Sequence, residues 1–146
     1  MAPVTARLRD ATERDAAGVA ALLEELGYPA SPEAARERLR RWAADPSSRV
    51  LVAEGEDGIV GLVATHLVPR LDDDRLCCRI TDIVVAAGSR RVGVGTALVE
   101  AAEAEARRHG ASRLDLSSAE WRAGARAFYA RLGFESPSRT FVKRLG

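Results

Sequence analysis

Val19, Leu22, Leu23 and Leu26 recur at the three- and four-residue spacing of one helix face. Ahead of them Thr12-Glu13-Arg14-Asp15 reads as a helix start, a threonine cap with an acid three residues on, and Gly27 reads as the stop. Ser31-Pro32-Glu33 opens a second helix, with a serine cap and proline at the first helical position. That helix carries Leu39 and Trp42 and ends near Asp45-Pro46. The period then shortens. Arg49 to Glu54 is rich in Val and Leu, Gly55-Glu56-Asp57-Gly58 is a turn, and Ile59 to Leu67 reads as the returning strand. A polar loop over Pro69 to Asp74 leads to a further strand, Leu76 to Val85. Beyond it the pattern alternates: a helix from Gly93 to His109, a strand over Ser112 to Ser117, and a helix over Glu120 to Leu132 with Gly133 as its cap. Short strands over Val4 to Arg9, near Phe134 and over Thr140 to Arg144 complete the reading. Early hairpin strands followed by a β-α-β crossover predict one mixed α/β domain over residues 1–146.

Composition narrows the class. With 47% hydrophobic and 29% charged residues, the 146-residue chain has the make-up of a soluble domain with a core of its own. A net charge of +1 supplies no overall pull toward nucleic acid or a membrane surface. The local basic run Arg36, Arg38, Arg40 and Arg41 reads as a solvated helix face. No apolar run approaches the roughly 18 residues of a membrane span, and the N-terminus lacks a hydrophobic signal core, so a cytoplasmic protein is expected. Cys77 and Cys78 are adjacent, and His66 and His109 are far apart. They form neither a disulfide framework nor a zinc-ligand pattern, so no metal site is expected.

The stretch Ser89 to Gly110 carries the chemistry. Gly93 and Gly95 follow two arginines and open an alanine-rich helix. A glycine turn at a helix start binds phosphate, because unpaired N–H groups point outward and no Cβ blocks the approach. Three ligands compete. A Walker A loop needs a lysine after the second glycine, and none is present. A dinucleotide fingerprint has its first two glycines here, and Asp115 lies on the next strand. Its third glycine position is Leu98, however, and seven residues, Ala86 to Val92, separate strand from glycine where that fold uses a tight turn. An acyl-CoA turn fits: Arg90-Arg91-Val92-Gly93-Val94-Gly95 matches [Q/R]xxGx[G/A] between the strand Asp82-Ile83-Val84-Val85 and the helix. Downstream, Ala125 to Phe134 matches AxxFYxxLGF.

These two elements, at this distance and in this order, resemble the GNAT superfamily of acyl-CoA N-acyltransferases, over essentially the whole chain. The resemblance implies an α/β (α+β) fold with a mixed, mostly antiparallel sheet of about six to seven strands, flanked by four helices and splayed between the fourth and fifth strands. It implies acetyl-CoA as acyl donor, its diphosphate on backbone N–H groups from Arg91 through Thr96. The backbone of Ile83, Val84 and Val85 would bond the pantetheine arm, and a backbone N–H near Val85 would polarise the thioester carbonyl. One departure stands out: many relatives have asparagine seven residues before the tyrosine, where this chain has Arg122.

Ala125, Phe128, Tyr129 and Leu132 share one helix face. The resemblance makes Tyr129 the acid toward the departing CoA sulfur, the alternative being plain packing. A phenol (pKa about 10) is a weaker acid than a thiol (about 8.5), so full transfer is uphill by about 2 kcal/mol, and a hydrogen bond to the sulfur is the main expectation. The acceptor amine must be neutral to attack, and on the order of one molecule in a thousand is neutral at pH 7, so a proton acceptor is required. Asp82 is the first candidate, with a structural role as the alternative, and Glu120 is the second. Alternation puts Asp82 on the face opposite Ile83 and Val85. Tyr28, after the first helix, lies where relatives wall the acceptor site. Leu71-Asp72-Asp73-Asp74 is either a solvated hairpin tip or a lure for a cationic amine. The expected reaction is acetyl transfer to a primary amine by direct attack in a ternary complex. The compact length leans toward a small-molecule acceptor, with protein N-acetylation and a non-catalytic CoA-binding module as alternatives. Relatives are often homodimers.

Overall fold

The computed structural model describes residues 6–90, 92–117, 124–136 and 140–146. The chain forms two compact units, Met1–Asp115 and Leu116–Gly146. Five strands make one sheet in chain order: β1 (Arg7–Asp10), β2 (Ser48–Gly55), β3 (Gly58–Val68), β4 (Cys77–Val85) and β5 (Arg113–Leu116). β1 through β4 pair antiparallel. β5 runs parallel to β4, as a βαβ crossover requires. The Ser112 N–H donates to the Leu76 carbonyl (2.8 Å), and Asp115 stands beside Arg79 (3.0 Å). β5 closes one residue later, and here the sheet splays.

The helices are α1 (Ala16–Leu26), α2 (Pro32–Ala44), α3 (Val94–Arg108) and α4 (Ala125–Arg131). Their starts and stops follow local chemistry. The Asp15 carboxylate accepts from the Thr12 N–H (2.8 Å), Ser31 Oγ accepts from the Ala34 N–H (3.1 Å), and Gly27 ends α1 in the left-handed region at φ 98°. Val19, Ala20, Leu22 and Leu26 of α1 and Ala35 and Leu39 of α2 pack on Val52, Leu62 and Val84 of the sheet. α3 covers the opposite face. A Cβ on Gly61 would lie 3.1 Å from Leu98 Cδ1 and 3.2 Å from Val94 Cγ1, so the missing side chain in β3 is what lets α3 lie close.

Two ion networks lock the frame. Arg9 donates to both carboxylate oxygens of Asp15 (2.9 and 2.8 Å) and to Glu54 (2.8 Å), joining β1, β2 and the start of α1. Glu105, buried on α3, accepts from Arg49 (2.7 Å), meets His109 (3.1 Å) and pairs with Arg108. A carboxylate in that position needs such partners to offset its desolvation.

Among the described residues the sheet has five strands rather than six or seven. The strands expected near Phe134 and over Thr140 to Arg144 do not form among the described residues. Alternation supplies the face of a strand but not its ladder partner, and Phe141, Val142 and Leu145 lie exposed.

Candidate active site

The end of β4 and the start of α3 set the geometry. A bulge at Thr81 interrupts the β3–β4 ladder: Thr65 pairs with Ile80, but Ala64 pairs with Asp82. The extra residue shifts the phase, so Asp82 faces the side covered by α1 and α2 while Ile80 faces the other. Past the bulge the Ala86 N–H donates to the Val60 carbonyl (2.8 Å). Antiparallel alternation then ties Val84 and Asp82 to β3 and turns the N–H and C=O of Ile83 and Val85 toward the β5 side. Of the three residues expected to bond an extended ligand arm, Ile83 and Val85 therefore turn their backbone groups away from β3, and Val84 is engaged with Leu62.

A 3-10 turn, Ala87–Ser89, carries the chain to α3. The Arg90 side chain turns back and donates to the Val85 carbonyl (3.1 Å), fastening the turn to the end of β4. Gly93 is the N-cap residue at φ 89°, a left-handed conformation that a side chain disfavours. The first intrahelical bond runs from the Ala97 N–H to the Gly93 carbonyl (3.0 Å), so Val94, Gly95 and Thr96 have no helical acceptor for their N–H groups. Gly95 sits inside the first turn without a left-handed φ. Its contribution is an absent Cβ beside these donors. Val92 is exposed just ahead of them, and Arg91 lies outside the described residues.

On the α1–α2 side a cavity of about 120 Å³ opens against the sheet. Its walls are apolar, with Val19 and Leu23 from α1, Leu39 and Trp42 from α2, and Leu62 from β3. Asp82 and Arg38 are the charged residues lining it. Tyr28 does not line it: the αL stop at Gly27, with the Tyr28 N–H on the Leu23 carbonyl (2.9 Å), leaves that ring 64% exposed. Arg38 lines it from the exposed basic face of α2, where Arg36, Arg40 and Arg41 are exposed as well and Arg40 pairs with Glu13 (2.7 Å).

In the C-terminal unit, Tyr129 lies on α4 between two aromatic rings. Phe128 is 5.2 Å away and Phe134 5.7 Å, both edge-on. Ala125, Phe128, Tyr129 and Leu132 are half-buried while Arg126, Ala127, Ala130 and Arg131 are exposed, the face that the spacing marks. Glu120 and Arg122 lie outside the described residues.

The remaining candidates are occupied locally. Asp115 binds Arg79 (3.0 Å) and accepts from the Cys77 thiol (3.3 Å), which leaves it no ribose-binding role. Burial would raise its pKa, but Arg79 and Cys77 hold it below the usual carboxylate range. Asp72 is held by Arg70 (2.9 and 2.8 Å), and Asp73 accepts from the Arg75 N–H (2.9 Å), as a self-satisfied hairpin tip does. Both cysteines are buried and free, and burial pushes the Cys78 thiol up to about 11. Among the described residues no group of three or more His, Cys, Asp or Glu is arranged to hold a metal ion, and no helix is long and apolar enough to cross a membrane.

Known proteins resemble this chain in sequence and fold. The chain is 31% identical over 143 residues to the aminoalkylphosphonate N-acetyltransferase of Salmonella typhimurium, covering 94% of this chain and 90% of that one. Its fold is similar to an acetyltransferase of Trypanosoma brucei at TM-score 0.80 and 26% identity, covering 96% and 99% of the two chains. It is also similar to a transcriptional regulator of Bacillus halodurans C-125 at TM-score 0.89 and 21% identity, over 96% and 99%. The pattern of the Acetyltransferase (GNAT) family matches residues 16–134, which include the bulged β4, the glycine turn of α3 and the α4 tyrosine. The chain belongs to the GNAT family of acetyltransferases.

Proposed function

We propose that the protein is an N-acetyltransferase that moves the acetyl group of acetyl-CoA to the primary amine of a small molecule by direct attack. One observation carries the donor half: a left-handed Gly93 leads into N–H groups at Val94, Gly95 and Thr96 that lack helical acceptors, downstream of a strand that turns the N–H groups of Ile83 and Val85 away from β3. The first set suits a diphosphate, through unpaired donors and the helix dipole. The second suits an extended amide-containing arm. Acetyl-CoA supplies the activated acetyl thioester.

The residues then have separable tasks. The Val85 N–H donates to the thioester carbonyl oxygen. The amine nitrogen forms the new N–C bond as the C–S bond breaks, and its proton leaves toward Asp82. The departing sulfur takes a hydrogen bond or proton from the Tyr129 hydroxyl. Burial of Cys77 and Cys78 and the raised pKa of both thiols support direct attack over relay through a cysteine. The Salmonella relative, named for aminoalkylphosphonates, supports a small-molecule acceptor.

The test is free-thiol release from acetyl-CoA across a panel of primary amines, with products identified by mass, for the wild type and Tyr129→Phe. Amine-dependent release is expected, with kcat lowered about a hundredfold in the variant. Unchanged turnover in Tyr129→Phe would remove the acid role. CoA binding with no amine ever stimulating release would make the protein a CoA-binding module instead.

A further inference from the structure

The cavity between α1, α2 and the sheet has two charged wall residues in an otherwise apolar lining, Arg38 from α2 and Asp82 from β4. Arg38 is exposed at the cavity mouth and Asp82 is half-buried. Several arginines of this unit meet carboxylates, Arg9 with Asp15 and Glu54, Arg40 with Glu13, Arg49 with Asp10 and Glu105, Arg79 with Asp115, while others such as Arg36 and Arg41 do not. Among the described residues, Arg38 and Asp82 pair neither with each other nor with a third group. Opposite charges on the wall of one small cavity, each without a protein partner among the described residues, match a ligand that is itself charged at both ends.

We propose that this cavity receives the acceptor and that Arg38 selects an amine carrying an oxyanion, the amine end at Asp82 and the anion at Arg38. This rests on the N-acetyltransferase reading and adds the substrate class. A half-buried carboxylate is stabilised by an ammonium group, and it stands where it takes up the proton that the amine must lose. The guanidinium presents a planar fork of donors that fits a carboxylate or phosphonate bidentately. The volume, about 120 Å³, is of the order of the cavity of about 150 Å³ that holds a benzene molecule, which suits an ω-amino acid or short aminoalkyl phosphonate. The apolar walls suit the few methylenes between the two ends.

The experiment compares kcat/KM for 2-aminoethylphosphonate, β-alanine and propylamine, which share a primary amine and differ in the far end. The wild type is expected to favour at least one anionic acceptor over propylamine by about tenfold or more, and the first two arms tell phosphonate from carboxylate. In Arg38→Gln that preference collapses toward one, mainly through KM for the anionic amine, while CoA still raises the melting temperature as in the wild type. Arg38→Lys, keeping the charge but not the fork, restores part of it. A wild type that favours propylamine, or a preference unchanged in Arg38→Gln, overturns the proposal and leaves the enzyme reading standing. If the wild type acetylates no amine while CoA binds, both fall.

Discussion

Cys77 and Cys78 stand side by side at the start of β4, 3% and 0% exposed. Burial raises both thiols, and only the thiolate reacts with disulfide reagents. Neither cysteine is therefore expected to react in the native protein at pH 8, and both should titrate in guanidinium. Fast labelling of one native thiol would contradict this. Asp15 makes a sharper prediction. Its carboxylate is 9% exposed, and the Arg9 hydrogen bonds, against the opposing effect of burial, hold its pKa below the ordinary value. A carboxyl depressed in the folded state stabilises above its unfolded pKa of about 3.9 and loses that contribution as pH falls through the lower folded value. Asp15→Asn should thus cost about 2 kcal/mol at pH 7, modest for a buried pair because Arg9 keeps Glu54. Urea unfolding from pH 7 to pH 3 measures it. The gap between wild type and variant should narrow toward acid, and a constant gap would sink the assignment.

Among the elements, α3 depends on β3 as much as on its own sequence. Gly61 has Leu98 and Val94 directly over it and the Val84 carbonyl 3.1 Å from where a Cβ would be. Gly61→Val should overpack this contact, cost about 2 kcal/mol in chemical unfolding and weaken CoA binding by displacing the first turn of α3. Unchanged stability and affinity would show that the helix does not rest there. The helices α1 and α2 were legible in the sequence because caps and apolar spacing agreed, as at Ser31 and Gly27. The glycine turn was legible because its residues carry local conformational demands, as the φ of 89° at Gly93 shows. The Thr81 bulge was not, because a phase slip belongs to two strands and only one is read at a time. Nor was the cavity beside Arg38, since an exposed arginine on a polar helix face, as this one is, looks alike whether or not a cavity opens next to it. Among the described residues the strands expected after Gly133 do not form, for the reason that also hid the bulge: pairing is a property of the ladder, not of the run.

At the scale of the molecule, the N-terminal unit has a strand end that turns Ile83 and Val85 away from β3, a helix start whose first N–H groups lack helical acceptors, and a cavity lined by Arg38 and Asp82. The chain belongs to the GNAT family of acetyltransferases, and the proposed function assigns these parts to the donor and the acceptor. The central claim is that the turn before α3 holds the diphosphate of the donor. Titrating the wild type with CoA and, separately, with pantetheine, which keeps the thiol arm and lacks the nucleotide and phosphates, tests it directly by the shift in melting temperature. The account predicts clear stabilisation by CoA and little by pantetheine at the same concentration, whereas equal stabilisation by the two would contradict it.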